Sequence, residues 1–131
     1  MIVDAGCGNG QISTHLSMSN PKSKVVAFDC SEQFISVAKK IEPRAANIEF
    51  QVMDMLNMDK IPENSVDFMT AIYSLHVKHK NDLAPLFAHI ASKLKKGGKL
   101  KFLTNTLECK NGKPFPKSVE ESRAIPITLQ A

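Results

Sequence analysis

Residues 2–10 read IVDAGCGNG, an apolar run that meets three glycines at alternate positions, Gly6, Gly8 and Gly10. Residues 1–5 predict a short buried strand, and Ile12, Leu16 and Met18 predict a helix from about Asn9 to Ser19. The glycines therefore fall in a strand-to-helix turn. There they permit a sharp bend and let the backbone approach a ligand more closely than a Cβ would allow. Such a turn alone is a weak signal. It is strengthened by Asp29 at the end of the next apolar run, because its distance from Gly10 is close to the roughly 20 residues at which a carboxylate accepts hydrogen bonds from ribose hydroxyls.

Outward from this turn, strands and helices alternate. KVVAFD (24–29) predicts a second buried strand, and Ser31 an N-cap for a helix with Phe34, Val37/Ala38 and Ile41 on its apolar face, stopped by Pro43. IEFQVM (48–53) predicts a third strand, Met55 to Asn64 a loop, and SVDFMTAIY (65–73) a fourth strand. Asn81 or Asp82 would cap a helix with Leu83, Leu86/Phe87, Ile90 and Leu94 on one face. Pro85 is expected in its first turn or so, where a missing N–H costs little. Gly97-Gly98 would stop that helix before a fifth strand, KLKFLT (99–104). These repeats predict an α/β fold: a doubly wound, mostly parallel Rossmann-like sheet of about five strands, with helices on both faces. Residues 1–104 would form the core. Residues 105–131 would form a tail, Lys- and Pro-rich through Lys117, with a helical candidate at Ser118–Ala124 and a strand candidate at Ile127–Gln130.

At 131 residues the chain is one domain by length. No apolar run reaches the roughly 20 residues of a membrane span, and no signal peptide is visible. Cys7, Cys30 and Cys109 are scattered and odd in number, which points to a reducing, cytoplasmic compartment. The net charge of +4 is carried mostly by lysine, most densely at Lys93, Lys95, Lys96, Lys99 and Lys101. No aromatic residues interleave with these as a nucleic-acid stacking platform would require, so they read as a solvated helix end and strand start.

The glycine pattern departs from the dinucleotide fingerprint, since the third glycine comes one residue early and position 11 is glutamine. Asp4 also stands two residues before the first glycine, where a carboxylate would repel a pyrophosphate. It suits a cationic ligand carrying an amino group and a sulfonium, and so favours S-adenosylmethionine over a nicotinamide dinucleotide. From Ile2 to about Thr104 the chain resembles the class I, seven-stranded S-adenosylmethionine-dependent methyltransferases, especially their small-molecule type. VDAGCGNG is similar to the family's first motif and VVAFDCSEQFISVAKK to its second-strand motif. EFQVMDMLNMDKIPENSVDFMTAIYSLH resembles the third- and fourth-strand block, and LFAHIASKLKKGGKLKFL the closing segment, with Lys96 where proline is usual.

The resemblance implies a set of cofactor contacts. Backbone groups from Ala5 through Gly6 and Cys7 to Gly8, in the turn closed by Gly10, would hold the methionine moiety, with Asp4 nearby through water. Asp29 would take both ribose hydroxyls, and Cys30 would pack on the adenine face. Asp54 would accept the adenine amino group, the Met55 N–H would reach a ring nitrogen, and the Ala71 carbonyl would help bind the amino group. The reaction implied is methyl transfer to a small-molecule acceptor, leaving S-adenosylhomocysteine. The alternative is a truncated, non-catalytic cofactor-binding module or subunit. The family normally carries one or two helices before the first strand, and two further strands and a helix after the fifth. The expectation is therefore either a piece of a longer protein or a sheet completed by a partner chain or second copy.

Other candidates carry less. Cys7 reads as a small residue in the turn rather than a nucleophile. His76 and His79 lack the carboxylates or cysteines of a metal site, although the resemblance places His76 at a pocket wall. His15 and His89 read as surface or boundary residues of helices. Asp54 and Asp59 are separated by loop with no fixed geometry, and Met53, Met55 and Met58 read as packing. Tyr73 either faces the substrate or caps the core. No catalytic base is named by these residues.

Overall fold

The computed structural model describes residues 1–43, 45–74, 80–103 and 127–130, with residues 80–83 and 127–130 described by backbone alone. His76, His79, Cys109, the Lys- and Pro-rich stretch and the helical candidate at 118–124 lie outside them, as does the division at residue 104. In chain order the elements are β1 (Ile2–Ala5), α1 (Gln11–Ser19), β2 (Val25–Asp29), α2 (Glu32–Ala38), β3 (Ile48–Val52), β4 (Val66–Ile72), α3 (Lys80–Lys93), β5 (Leu94–Leu103) and β6 (Ile127–Gln130). The sheet order is β3-β2-β1-β4-β5-β6. The first five strands are parallel, and β6 runs antiparallel along β5, with Leu100 opposite Leu129. The strand candidate at 127–130 thus covers what would be the open edge of β5, so the described sheet has a sixth strand.

The order reverses between β1 and β4. In an open parallel sheet this leaves a crevice beyond the carboxyl ends of those two strands, where ligands bind. The strands feed two apolar layers. Val25, Ala27, Ile48 and Phe50 pack with Ile35 and Ala38 of α2. On the other face Val3, Val26, Phe28, Met69, Leu100 and Phe102 pack with Leu86 and Ile90 of α3. No helix joins β3 to β4. Met53, Met55, Met58 and Ile61 of that connection are buried in the α3 layer instead, as expected of flexible side chains that fill irregular space.

Both short helices turn a different face inward than their apolar residues suggest. α1 buries Ser13 and Ser17, while Ile12 and Met18 are 46% and 54% exposed. Ser13 faces inward because its hydroxyl satisfies a buried carboxylate, Asp4. α2 buries Ile35 and Ala38 and leaves Phe34 and Val37 about half exposed. Its inward stripe is set by close packing on the glycine turn, since a Cβ at Gly10 would lie 2.8 Å from both the Ala38 Cβ and the Phe50 ring. α3 starts at Lys80, so Pro85 lies inside the helix rather than in its first turn. It also stops at Lys93, before the glycine pair. Gly97 and Gly98 form a bulge in β5: Val66 pairs with Leu94 but Phe68 pairs with Lys99. Gly97 has φ +80, and a Cβ on Gly98 would lie 2.8 Å from the Val66 carbonyl oxygen.

Asn47 clamps the lower end of the α1–β2 turn. Its Nδ2 donates to the carbonyls of Ser17, Asn20 and Ser23 at 3.1, 3.1 and 2.8 Å. Asn47→Ala leaves these carbonyls without that donor and is expected to destabilise the fold by about 1–3 kcal/mol. Urea denaturation measures this; a midpoint equal to that of the wild type would show the clamp to be dispensable.

Candidate functional site

The turn after β1 is shaped by backbone hydrogen bonds. The N–H groups of Gly6 and Cys7 both donate to the Phe28 carbonyl, at 2.8 and 2.9 Å, and the Gly10 N–H donates to the Cys7 carbonyl at 3.0 Å. The Gly8 N–H donates to Asp29 Oδ2 at 3.0 Å. The Ser31 N–H holds the other oxygen, Oδ1, at 2.9 Å. Ser31 is also the N-cap of α2, its hydroxyl accepting the Phe34 N–H, so the helix start and the Asp29 carboxylate are fixed together. Four donors of the turn are therefore spent inside the protein. Gly8 itself opens outward, with nothing within 4 Å of where its Cβ would stand.

Asp4 lies beneath this turn. It is 2% exposed and accepts from the Ser13 hydroxyl at 2.5 Å and the Thr70 hydroxyl at 2.8 Å, joining β1, α1 and β4. Burial pushes its carboxyl up, the two hydroxyl donors pull it down, and Asp29 adds to the rise. Cys7 is buried next to it. Burial, reinforced by the carboxylates of Asp4 and Asp29, pushes its thiol up to about 12, so it is no activated nucleophile.

The ends of β2 and β3 are also joined, the Met53 N–H donating to the Asp29 carbonyl at 3.0 Å. Asp54 follows at the surface, its Oδ1 accepting the Leu56 N–H at 2.9 Å, while Met55 is buried. Met55 reaches the glycine turn, since a Cβ on Gly6 would lie 2.9 Å from its Cε. Ala71 is buried near the end of β4, and three residues on the Ser74 hydroxyl donates to the Ala5 carbonyl at 3.0 Å. Tyr73 between them is 45% exposed with φ 53 and does not cap the core.

Ala5, Gly6, Cys7, Gly8, Asp29, Asp54 and Met55 thus lie at or just beyond the carboxyl ends of the neighbouring strands β1, β2 and β3, with exposed Cys30 beside Asp29 and Ala71 at the β4 side. Asp4 is engaged below them rather than exposed to a ligand. Ser13, Thr70 and Ser74 escape sequence reading; the one available signal is hydroxyl residues at positions where apolar ones would pack. Among the described residues, no cluster of three or more His, Cys, Asp or Glu is placed to hold a metal ion.

Gly6 and Gly8 separate packing from access. Both have positive φ, which costs a substituted residue about 1–2 kcal/mol. A Cβ on Gly6 would also stand 2.4 Å from the Ser74 Cβ. Gly6→Ala should therefore lose clearly more stability than Gly8→Ala in chemical denaturation. Equal losses would show that the contact with Ser74 relaxes freely.

Residues 2–98 match the family described as "Methyltransferase domain". The chain is 30% identical over 103 residues to malonyl-[acyl-carrier protein] O-methyltransferase 1 of Ilyobacter polytropus, across 79% of this chain and 37% of that relative. It superposes on an S-adenosylmethionine-dependent methyltransferase from Mesorhizobium loti with a TM-score of 0.69 and 29% identity, covering 79% of this chain and 46% of that one. Phosphoethanolamine N-methyltransferase 1 of Haemonchus contortus, solved with phosphoethanolamine and S-adenosylhomocysteine, shares the fold with a TM-score of 0.73 at 21% identity, over 86% of this chain and 23% of that one. The chain spans less than half of the length of the curated relatives it matches. Because the family match runs through the glycine turn, Asp29 and the β3–β4 connection together, the cofactor half of the fold is shared as a unit, and this chain belongs to the class I, S-adenosylmethionine-dependent methyltransferases.

Proposed function

We propose that the chain holds S-adenosylmethionine across the carboxyl ends of β1, β2 and β3 and supports methyl transfer to a small-molecule acceptor on the β4 side. The observation that carries this reading is the Asp29 carboxylate, tethered through both oxygens beside the open space above Gly8. An ionised carboxylate has about four lone-pair sites. Two accept backbone N–H groups here, and the other two match the pair of ribose hydroxyls.

The turn fits the cationic end of the same cofactor. A phosphate cradle needs free N–H groups, and those of Gly6, Cys7, Gly8 and Gly10 are already used. Carbonyl oxygens from Ala5 to Gly8 and of Ala71 would be the acceptors for an ammonium group, those of Ala5 and Cys7 through the lone pair that the Ser74 hydroxyl and the Gly10 N–H leave. Asp54 and the Met55 N–H would take the adenine edge, and Cys30 its face. Asp4 would serve from below, by fixing the strand and helix ends that carry these groups.

S-adenosylmethionine supplies a methyl group on a cationic sulfur, already a good leaving group. The protein's share of the chemistry is therefore alignment and exclusion of water. Tyr73, exposed at the end of β4, is the described residue assigned to the acceptor side. A small acceptor accords with the relative named as a malonyl-[acyl-carrier protein] O-methyltransferase. A cytoplasmic location accords with the unpaired thiols of Cys7 and Cys30, and no described helix is long and apolar enough to cross a membrane.

Calorimetric titration should show binding of S-adenosylhomocysteine and none of NADH. Asp29→Ala is expected to weaken S-adenosylhomocysteine binding by about 1.5–3 kcal/mol, roughly 10- to 150-fold. An unchanged dissociation constant in the folded variant would remove Asp29 from the site. Gly8→Val, which places a branched side chain in the open space, should abolish the thermal stabilisation given by the ligand while leaving a cooperative melt.

A further inference from the structure

The connection between β3 and β4 carries Asp54 and Met55 without regular secondary structure of its own. Several of its hydrogen bonds are internal: the Asn57 N–H to the Asp54 carbonyl and the Ile61 N–H to the Met58 carbonyl, both at 3.0 Å, and the Leu56 N–H to Asp54 Oδ1. Its far end is tied to α3 where the N–H groups of Asn64 and Ser65 reach the carbonyls of Ser92 and Lys93. Its middle is tied to α3 by a different kind of bond. The Met58 N–H donates to Nε2 of His89 at 3.1 Å, and the Met58 side chain is fully buried.

That geometry sets the state of the ring. A backbone N–H can only donate, so Nε2 must present its lone pair and the ring proton must sit on Nδ1. We propose that His89, as the neutral imidazole, is a positioning residue for the cofactor: by accepting the Met58 N–H it fixes the connection that presents Asp54 and Met55 to the adenine. The proposal rests on the assignment of those two residues to the adenine. Protonation puts a hydrogen on Nε2, so that two N–H groups face each other and the bond is lost. The connection then keeps its buried side chains but loses the hold on its middle, and the adenine contacts loosen.

The charged groups against this bond are Glu63 on the connection and Lys93 on α3. The two pair with each other at 2.5 Å, so their charges offset one another there. Asp59 and Lys60, next along the chain from Met58, are exposed to solvent. The cofactor brings no group that titrates as imidazole does between about pH 5 and 8, so a change of affinity in that range reports on the protein.

The test uses two readouts on the full chain, from about pH 8 to 5.5, the range of imidazole titration. The first is hydrogen-exchange protection of the Met58 amide without ligand, corrected for the intrinsic pH dependence of exchange. The second is calorimetric affinity for S-adenosylhomocysteine. In the wild type, protection and affinity should each fall about tenfold as the pH drops, the scale of one buried hydrogen bond. His89→Ala should be low in both at every pH. His89→Gln, whose amide oxygen can stand where Nε2 stands, should be high in both at every pH. If His89→Ala does not fold, the wild-type series and His89→Gln decide. Met58 protection that ignores pH in the wild type overturns the inference, whatever the ligand does. Protection that falls while affinity holds overturns instead the assignment of Asp54 and Met55 to the adenine, and the positioning role with it.

Discussion

A carboxylate taken out of water at the end of β1 has to find hydrogen-bond donors nearby, and much of the molecule is arranged around that need. Asp4 finds them in Ser13 and Thr70, one on α1 and one on β4. The pairing draws α1 down onto the sheet with a serine inward, which sends Ile12 and Met18 to the surface. It also holds β4 against β1 at the point where the strand order reverses. The crevice there is therefore a fixed feature of the fold, braced from beneath by hydrogen bonds rather than by apolar packing alone.

Above that brace, the glycine turn divides its labour. At Gly6 the chain is pressed against Ser74 and Met55, so the residue serves packing. At Gly8 nothing crowds the backbone, and its N–H is used to orient Asp29. A conformational demand common to both positions, a positive φ, therefore hides two different roles. The first position is closely packed, and the second leaves open space beside Asp29. This is the arrangement expected where a rigid scaffold presents a loop to a ligand.

The order of strands and helices was legible because buried parallel strands are near-continuous apolar runs between turn residues. Asp29 was legible for a related reason, since it ends such a run and so lies at the sheet's carboxyl edge; Asp54 and Ala71 were named by the resemblance, and they stand just after β3 and near the end of β4. The helix faces were not. α1 and α2 have nine and seven residues, too few turns to fix a phase, and the deciding residues are Ser13, Ser17 and Ala38, which carry little hydropathy. Gly97-Gly98 misled in another way. Glycine pairs end helices and build bulges by the same freedom of φ, and only the pairing of β4 with β5 distinguishes the two. His89 was invisible as anything but a boundary residue, because its partner is a backbone N–H, which every residue but proline has.

The hydrogen-bond inventory of the turn also bears on what kind of ligand can bind. A strand–turn–helix with glycines serves both phosphate-binding and sulfonium-binding proteins, so the fold does not choose between them. The distribution of donors does. A turn that binds phosphate must leave N–H groups free to point at an anion. Here Phe28, Cys7 and Asp29 accept those of Gly6, Cys7, Gly8 and Gly10, and the turn stands beside two carboxylates, Asp4 and Asp29. Such a surface repels a pyrophosphate and attracts an ammonium or a sulfonium. The preference for a cationic cofactor therefore follows from which atoms of the turn the rest of the protein has already used.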